Sequence, residues 1–219
     1  MKLDFSYMEV VAKPTISEFK EVSLETLTSA MDRSAIHTFG WPIAVVLHTN
    51  EGKPKPITNG IESKIENLGH REYWCLMRTG EFYFIGELFE NMRKPESVFI
   101  DTRTNRITET FLRIGKLYSI LGMPEDEKIE LMIKHANIKN KVLAVANPAR
   151  MLFEKRKCNV PEVKTDFLIS VKEMLCPDSL KKNVYMAIRN LAEMFDMFNP
   201  DKAGFTDRIV DSFLKGRIA

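Results

Sequence analysis

The sequence predicts an α+β fold: a mixed or antiparallel sheet with packed helices, followed by a small helical C-terminal region. Three observations carry this. Residues 73–77 and 82–85 are two runs of β-prone aromatic and aliphatic residues joined by a glycine-containing turn. Ile129, Leu131 and Ile133 alternate with polar or flexible neighbours, while Ile107, Phe111, Ile114, Tyr118 and Leu121 fall at helical spacing. After Asn147 the apolar positions read as helical throughout, which divides the chain into an α+β domain over 1–146 and a helical region over 147–219.

The elements follow in order. Residues 5–11 suit a strand, which Pro14 interrupts. Ser23 is placed to cap a helix carrying Leu24, Leu27 and Met31 on one face. The apolar run 43–47 behind Pro42 suits a buried strand, and the loop 50–56, with two prolines, excludes a helix. Residues 61–68 read as a further strand. The hairpin turns at Thr79-Gly80, where glycine reaches φ > 0 at little cost. Residues 88–92 add a helical turn. Residues 97–101 suit a strand, 102–105 a polar turn, and the next helix stops at Gly122 ahead of Pro124. Residues 142–145 are expected to return antiparallel to the strand of Ile129, Leu131 and Ile133. Beyond 147, Phe167, Val171 and Leu175 suggest a helix capped by Thr165. Leu180, Val184, Ile188, Leu191 and Phe195 suggest a longer one capped by Asp178 or Ser179, and Ile209 and Phe213 a last one capped by Thr206.

Composition narrows the function classes. The 219 residues are 44% hydrophobic and 28% charged, ordinary for a folded domain and unlike disordered or collagen-like chains. No run approaches the ~20 apolar residues of a membrane span. Asp4 and Glu9 make the N-terminus unlike a secretory signal, and a cytoplasmic location is expected. Cys75, Cys158 and Cys176 are sparse and odd in number, which fits free thiols in a reducing compartment. A formal net charge of +2 is too near balance to announce a nucleic-acid binder.

No catalytic motif is present. His37, His48, His70 and His135 share no metal-ligand spacing, and Phe39-Gly40-Trp41-Pro42 is a turn rather than a phosphate loop. Neither a cofactor nor a metal is expected. Cys75 within an aromatic strand reads as core rather than nucleophile. The candidate residues are therefore those of a binding surface. Trp74 and Tyr83 offer rings on which bases could stack, against a plain role in the sheet core. Lys53, Lys55, Lys134, Lys139 and Lys141 form local basic clusters suited to phosphate, against a plain role as solvated surface.

The run Ile36-His37-Thr38-Phe39-Gly40-Trp41-Pro42-Ile43-Ala44-Val45-Val46-Leu47 resembles a segment of bacterial and archaeal proteins described as ATP-binding or DNA-binding regulators. In those proteins it lies C-terminal to a Schlafen-type AlbA domain. The resemblance continues through Gly60-Ile61, Tyr73-Trp74, Gly80-Glu81-Phe82-Tyr83, Leu88-Phe89-Glu90 and Asp101-Thr102-Arg103, and covers residues 34–145. It implies an accessory region of a prokaryotic, nucleic-acid-associated system. The AlbA domain itself has no match in this sequence, and the matched region carries no catalytic motif to transfer.

Two expectations follow. The first is a non-enzymatic accessory or regulatory module. The second is a nucleic-acid-binding protein that uses the lysine clusters and exposed aromatics. Met186, Met194 and Met197 lie off the main stripe of the long C-terminal helix, and methionine suits adaptable contacts. They point to a homodimer through the C-terminal helices, against their burial inside one chain by neighbouring helices.

Overall fold

The computed structural model describes residues 4–15, 22–49, 51–66, 70–147, 152 and 154–218, with the backbone alone at 202–203. The strands are β1 (Tyr7–Pro14), β2 (Lys55–Ile57), β3 (Gly60–Ile65), β4 (Glu72–Met77), β5 (Phe82–Glu87), β6 (Ser97–Phe99), β7 (Lys128–Ala136), β8 (Val142–Ala144) and β9 (Glu162–Ser170). The α-helices are α1 (Leu24–Arg33), α2 (Glu90–Arg93), α3 (Ile100–Ile120), α4 (Val171–Leu175), α5 (Pro177–Glu193) and α6 (Arg208–Leu214). A π-helical turn, Lys202–Asp207, leads into α6.

Seven strands form one antiparallel sheet in the order β2-β3-β4-β5-β1-β7-β9. The expected hairpin is β4–β5, with Trp74 opposite Phe84 and Gly80 at φ +85° in its turn. One face of the sheet buries Val10, Ala12, Trp74, Leu76, Phe82, Phe84, Leu131 and Ile133. Helix α3 lies against this core through Ile107, Phe111, Ile114, Leu117 and Tyr118. α1 and α5 bring Leu27, Met31, Leu180, Val184, Ile188 and Leu191 to the same cluster. Ser23 caps α1 by accepting from Thr26 N, and Gly122 ends α3 at φ +79°, both as expected. β1 runs to Pro14 rather than stopping before it. Its pairing with β5 ends at Ala12, so the missing proline N–H lies past the last β5 pair.

Four expectations are corrected. Residues 102–105 are not a turn but the second turn of α3, which begins directly behind β6. Their polar side chains are satisfied within the helix: Thr104 Oγ1 donates to Ile100 O, and Asn105 Nδ2 to Asp101 O. Residues 43–47 are buried but irregular, with Ala44 at φ +50°, so no strand forms there. β8 pairs in parallel with β6 in a separate two-stranded sheet and does not return against β7. Residues 162–170 are strand β9 along the edge of the main sheet, with Leu131 opposite Phe167, so the sheet continues past residue 147. Thr165 lies inside that strand. α4 is capped instead by Ser170 in a reciprocal capping box with Glu173, and α5 by Cys176 with Pro177 in its first turn. The first turn of α6 lies beyond Thr206, which belongs to the π-helical turn. No helix among the described residues is long and apolar enough to cross a membrane.

Candidate ligand-binding cleft

The buried irregular segment 41–45 has no strand to pair with, so side chains supply its partners. Ile43 N donates to Glu109 Oε1 at 2.8 Å and Val45 N to Glu72 Oε1 at 3.1 Å. Arg106 Nη1 donates to Trp41 O at 2.7 Å and to Glu109 Oε2 at 2.6 Å. Arg113 Nη2 donates to Ala44 O at 2.7 Å and to Met31 O at 2.9 Å, and Trp74 Nε1 to Val45 O at 3.0 Å. A buried backbone needs every one of these partners, and α3 and β4 provide them.

This scaffold shapes one wall of a cleft of about 250 Å³. Phe39 and Trp41 of the held loop face Phe89 across it, with Met8, Ile43 and Phe84 forming apolar lining. Arg106 stacks on the Phe39 ring at 4.8 Å, and the Trp41 and His70 rings lie 5.2 Å apart. The polar lining comprises His70, Glu72, Glu87, Arg103 and Arg106. His70 Nε2 bonds Glu72 Oε2 at 2.8 Å, and Arg103 Nη2 donates to Glu90 Oε2 at 2.9 Å. Glu90 Oε1 also accepts from Phe99 N at 2.8 Å.

Burial sets the electrostatics. It pulls the Arg103 guanidinium below its ordinary value, opposed by Glu90, and pushes Arg113 down to about 10, opposed by Glu109 and Glu72. Burial also raises the Glu109 carboxyl, against Arg106 and the Ile43 N–H, which hold it down. Three buried or nearly buried arginines therefore face three buried glutamates, Glu72, Glu90 and Glu109. Two donors on the cleft wall stand apart from this network. Trp41 Nε1 and Arg103 Nε are buried and have no hydrogen-bond partner among the described residues.

The residues singled out in the sequence lie elsewhere. Trp74 is 0% exposed and faces the core, so it cannot stack on a base; its ring fills the space under segment 41–45 and its N–H is spent on Val45. Tyr83 lies half-buried on the opposite, outer sheet face, 6.1 Å from Tyr73. Burial and Glu9 raise its hydroxyl. Lys134 pairs with Glu9, and Lys141 Nζ donates to Pro95 O and Asn91 Oδ1. Lys139 is exposed after β7, and Lys53 and Lys55 are exposed on and beside β2. β2 and β7 are five strand spacings apart, about 24 Å, so the structure does not bring the two lysine groups together. Neighbouring lysines of the outer face have carboxylates as well, in Lys13–Glu81, Lys64–Glu66 and Lys164–Asp166. Cys75 is half-buried on that face, and burial raises its thiol, which disfavours the thiolate. No group of three or more His, Cys, Asp or Glu among the described residues is arranged to hold a metal ion.

Sequence reading passed over Arg103, Arg106, Glu109 and Arg113. Their spacing of three, three and four residues is a polar stripe along one helix face. That stripe continues the helix through 102–105, and it is the signal that could have found the site. Compared with protein-family models, with curated proteins and with solved structures, the chain matches none.

Proposed function

We propose that the chain is a non-enzymatic accessory or regulatory module that takes a small ligand in this cleft. The observation that carries the reading is the convergence, in one concave site, of aromatic walls with two buried N–H donors that have no partner among the described residues. An unpaired buried donor costs about 1–3 kcal/mol, which an acceptor atom on a ligand removes. Among the described residues that line it, the cleft has a His–Glu pair but no nucleophile beside it, so its groups suit binding better than turnover. The resemblance around residues 34–145 supports a module of a prokaryotic, nucleic-acid-associated system, and its free thiols suit a cytoplasmic, reducing setting. A homodimer through the C-terminal helices belongs to the same reading, because Met186 and Met197 are exposed on that side of the molecule.

The test uses the chain's two tryptophans. Each indole N–H gives one NMR cross-peak, and Trp41→Phe assigns them. A fragment that enters the cleft shifts the Trp41 peak and leaves that of core-buried Trp74 in place. A chemically diverse fragment panel in which nothing moves the Trp41 peak overturns the reading.

A further inference from the structure

We infer that the cleft selects a small planar aromatic compound bearing a single carboxylate. This rests on the ligand-binding reading above and specifies its chemistry. Both partnerless atoms, Trp41 Nε1 and Arg103 Nε, are donors, so the ligand must present acceptors. The carboxylates around the cleft already have partners. Glu72 takes His70 and Val45 N, Glu90 takes Arg103 and Phe99 N, Glu109 takes Arg106 and Ile43 N, and Glu87 lies 3.2 Å from Arg71 Nε. A cationic ligand would have to break one of these pairs to be neutralised.

The same balance limits the negative charge. Three arginines and three glutamates of the network offset one another, so a dianion would meet the glutamates without a surplus of positive charge. One carboxylate can accept from the Trp41 and Arg103 donors while its charge is spread over two oxygens. Size and shape set the remainder. A space of about 250 Å³ between the Phe39, Trp41 and Phe89 rings admits a fused bicyclic ring and little more.

Three probes differing only in the polar group make the test: 2-naphthoate, its neutral carboxamide and 2-naphthyl phosphate, each titrated against the Trp41 indole peak. The carboxylate is expected to bind about tenfold more tightly than the carboxamide, the increment of a charge-assisted over a neutral hydrogen bond. The phosphate dianion is expected to bind more weakly than the carboxylate. Trp41→Phe keeps an aromatic wall and removes one donor; followed on the His70 ring signals, it should weaken the carboxylate by ~5-fold and the carboxamide by less. Equal binding of carboxylate and carboxamide overturns the charge selection, and tightest binding by the phosphate overturns the single charge. In either case the ligand-binding reading stands. If none of the three shifts the Trp41 peak, the inference fails, and the fragment panel decides separately whether the cleft binds anything.

Discussion

Glu109→Ala removes the acceptor that pins the loop carrying Phe39 and Trp41. The wild-type carboxylate is 0% exposed and pairs with Arg106 at 2.6 Å, while its other oxygen accepts from Ile43 N at 2.8 Å. Alanine therefore leaves Ile43 N–H buried without a partner and unbalances the Arg106 and Arg113 charges. Breaking a buried pair from one side costs ~3–5 kcal/mol. Arg106 is 14% exposed and keeps its bond to Trp41 O, so it recovers part of the loss, and the lower figure of about 3 kcal/mol is expected. For a chain of this size that lowers Tm by about 6–12 °C. Glu109→Gln keeps an acceptor for Ile43 N and loses only the charge, so a smaller loss of ~1–2 kcal/mol is expected. Urea melts followed by tryptophan fluorescence measure both, since Trp41 hydrogen-bonds to Arg106 through its carbonyl and Trp74 to segment 41–45. A Glu109→Ala protein within ~0.5 kcal/mol of the parent would refute the claim that this network holds the loop.

Burial first, and the Arg103 charge second, push the His135 imidazole down to about 3. The folded value lies below the unfolded one of about 6.5, so the extra proton binds the unfolded state. His135 therefore leaves stability unchanged above pH 6.5 and lowers it as pH falls from there toward 3, by at most ~1.4 kcal/mol per unit. His135→Gln should flatten that slope by one proton between pH 6 and 4; identical slopes in urea melts refute the assignment. Phe167 packs edge-on to Phe111 at 5.0 Å, so Phe167→Ala should cost ~3–5 kcal/mol and move the whole unfolding transition. A loss below ~1 kcal/mol would mean that β9 is not tied to the core. In α5 and the turn after it, Met186 is 41% and Met197 90% exposed, while Met194 is partly buried against the core. Light scattering at micromolar concentration is expected to give a dimer that Met186→Glu with Met197→Glu dissociates, and a monomeric parent protein refutes the dimer.

Several elements were legible in the sequence because their determinants are local. The β4–β5 hairpin joins β-prone runs through a glycine that sits at φ +85°. The cap at Ser23, the stop at Gly122 and the stripe Leu180, Val184, Ile188, Leu191 each need only neighbours within a few residues. β9 shows the limit. Val163, Thr165, Phe167 and Ile169 alternate as a strand does, while Phe167, Val171 and Leu175 keep helical spacing, and only the open edge of β7 decides between them. Segment 43–47 has the composition of a buried strand, yet its backbone bonds go to Glu109, Glu72 and Arg113, which lie 66, 27 and 69 residues away from their partners. The cleft likewise draws Met8, Trp41, His70, Phe89 and Arg103 from separate elements and loops. By itself the sequence determined the α+β class, the hairpin and several helix ends. Tertiary structure alone decided the edge strand, the irregular buried segment and the cleft, because a buried donor or acceptor takes whatever partner the fold brings within about 3 Å, however far along the chain it lies.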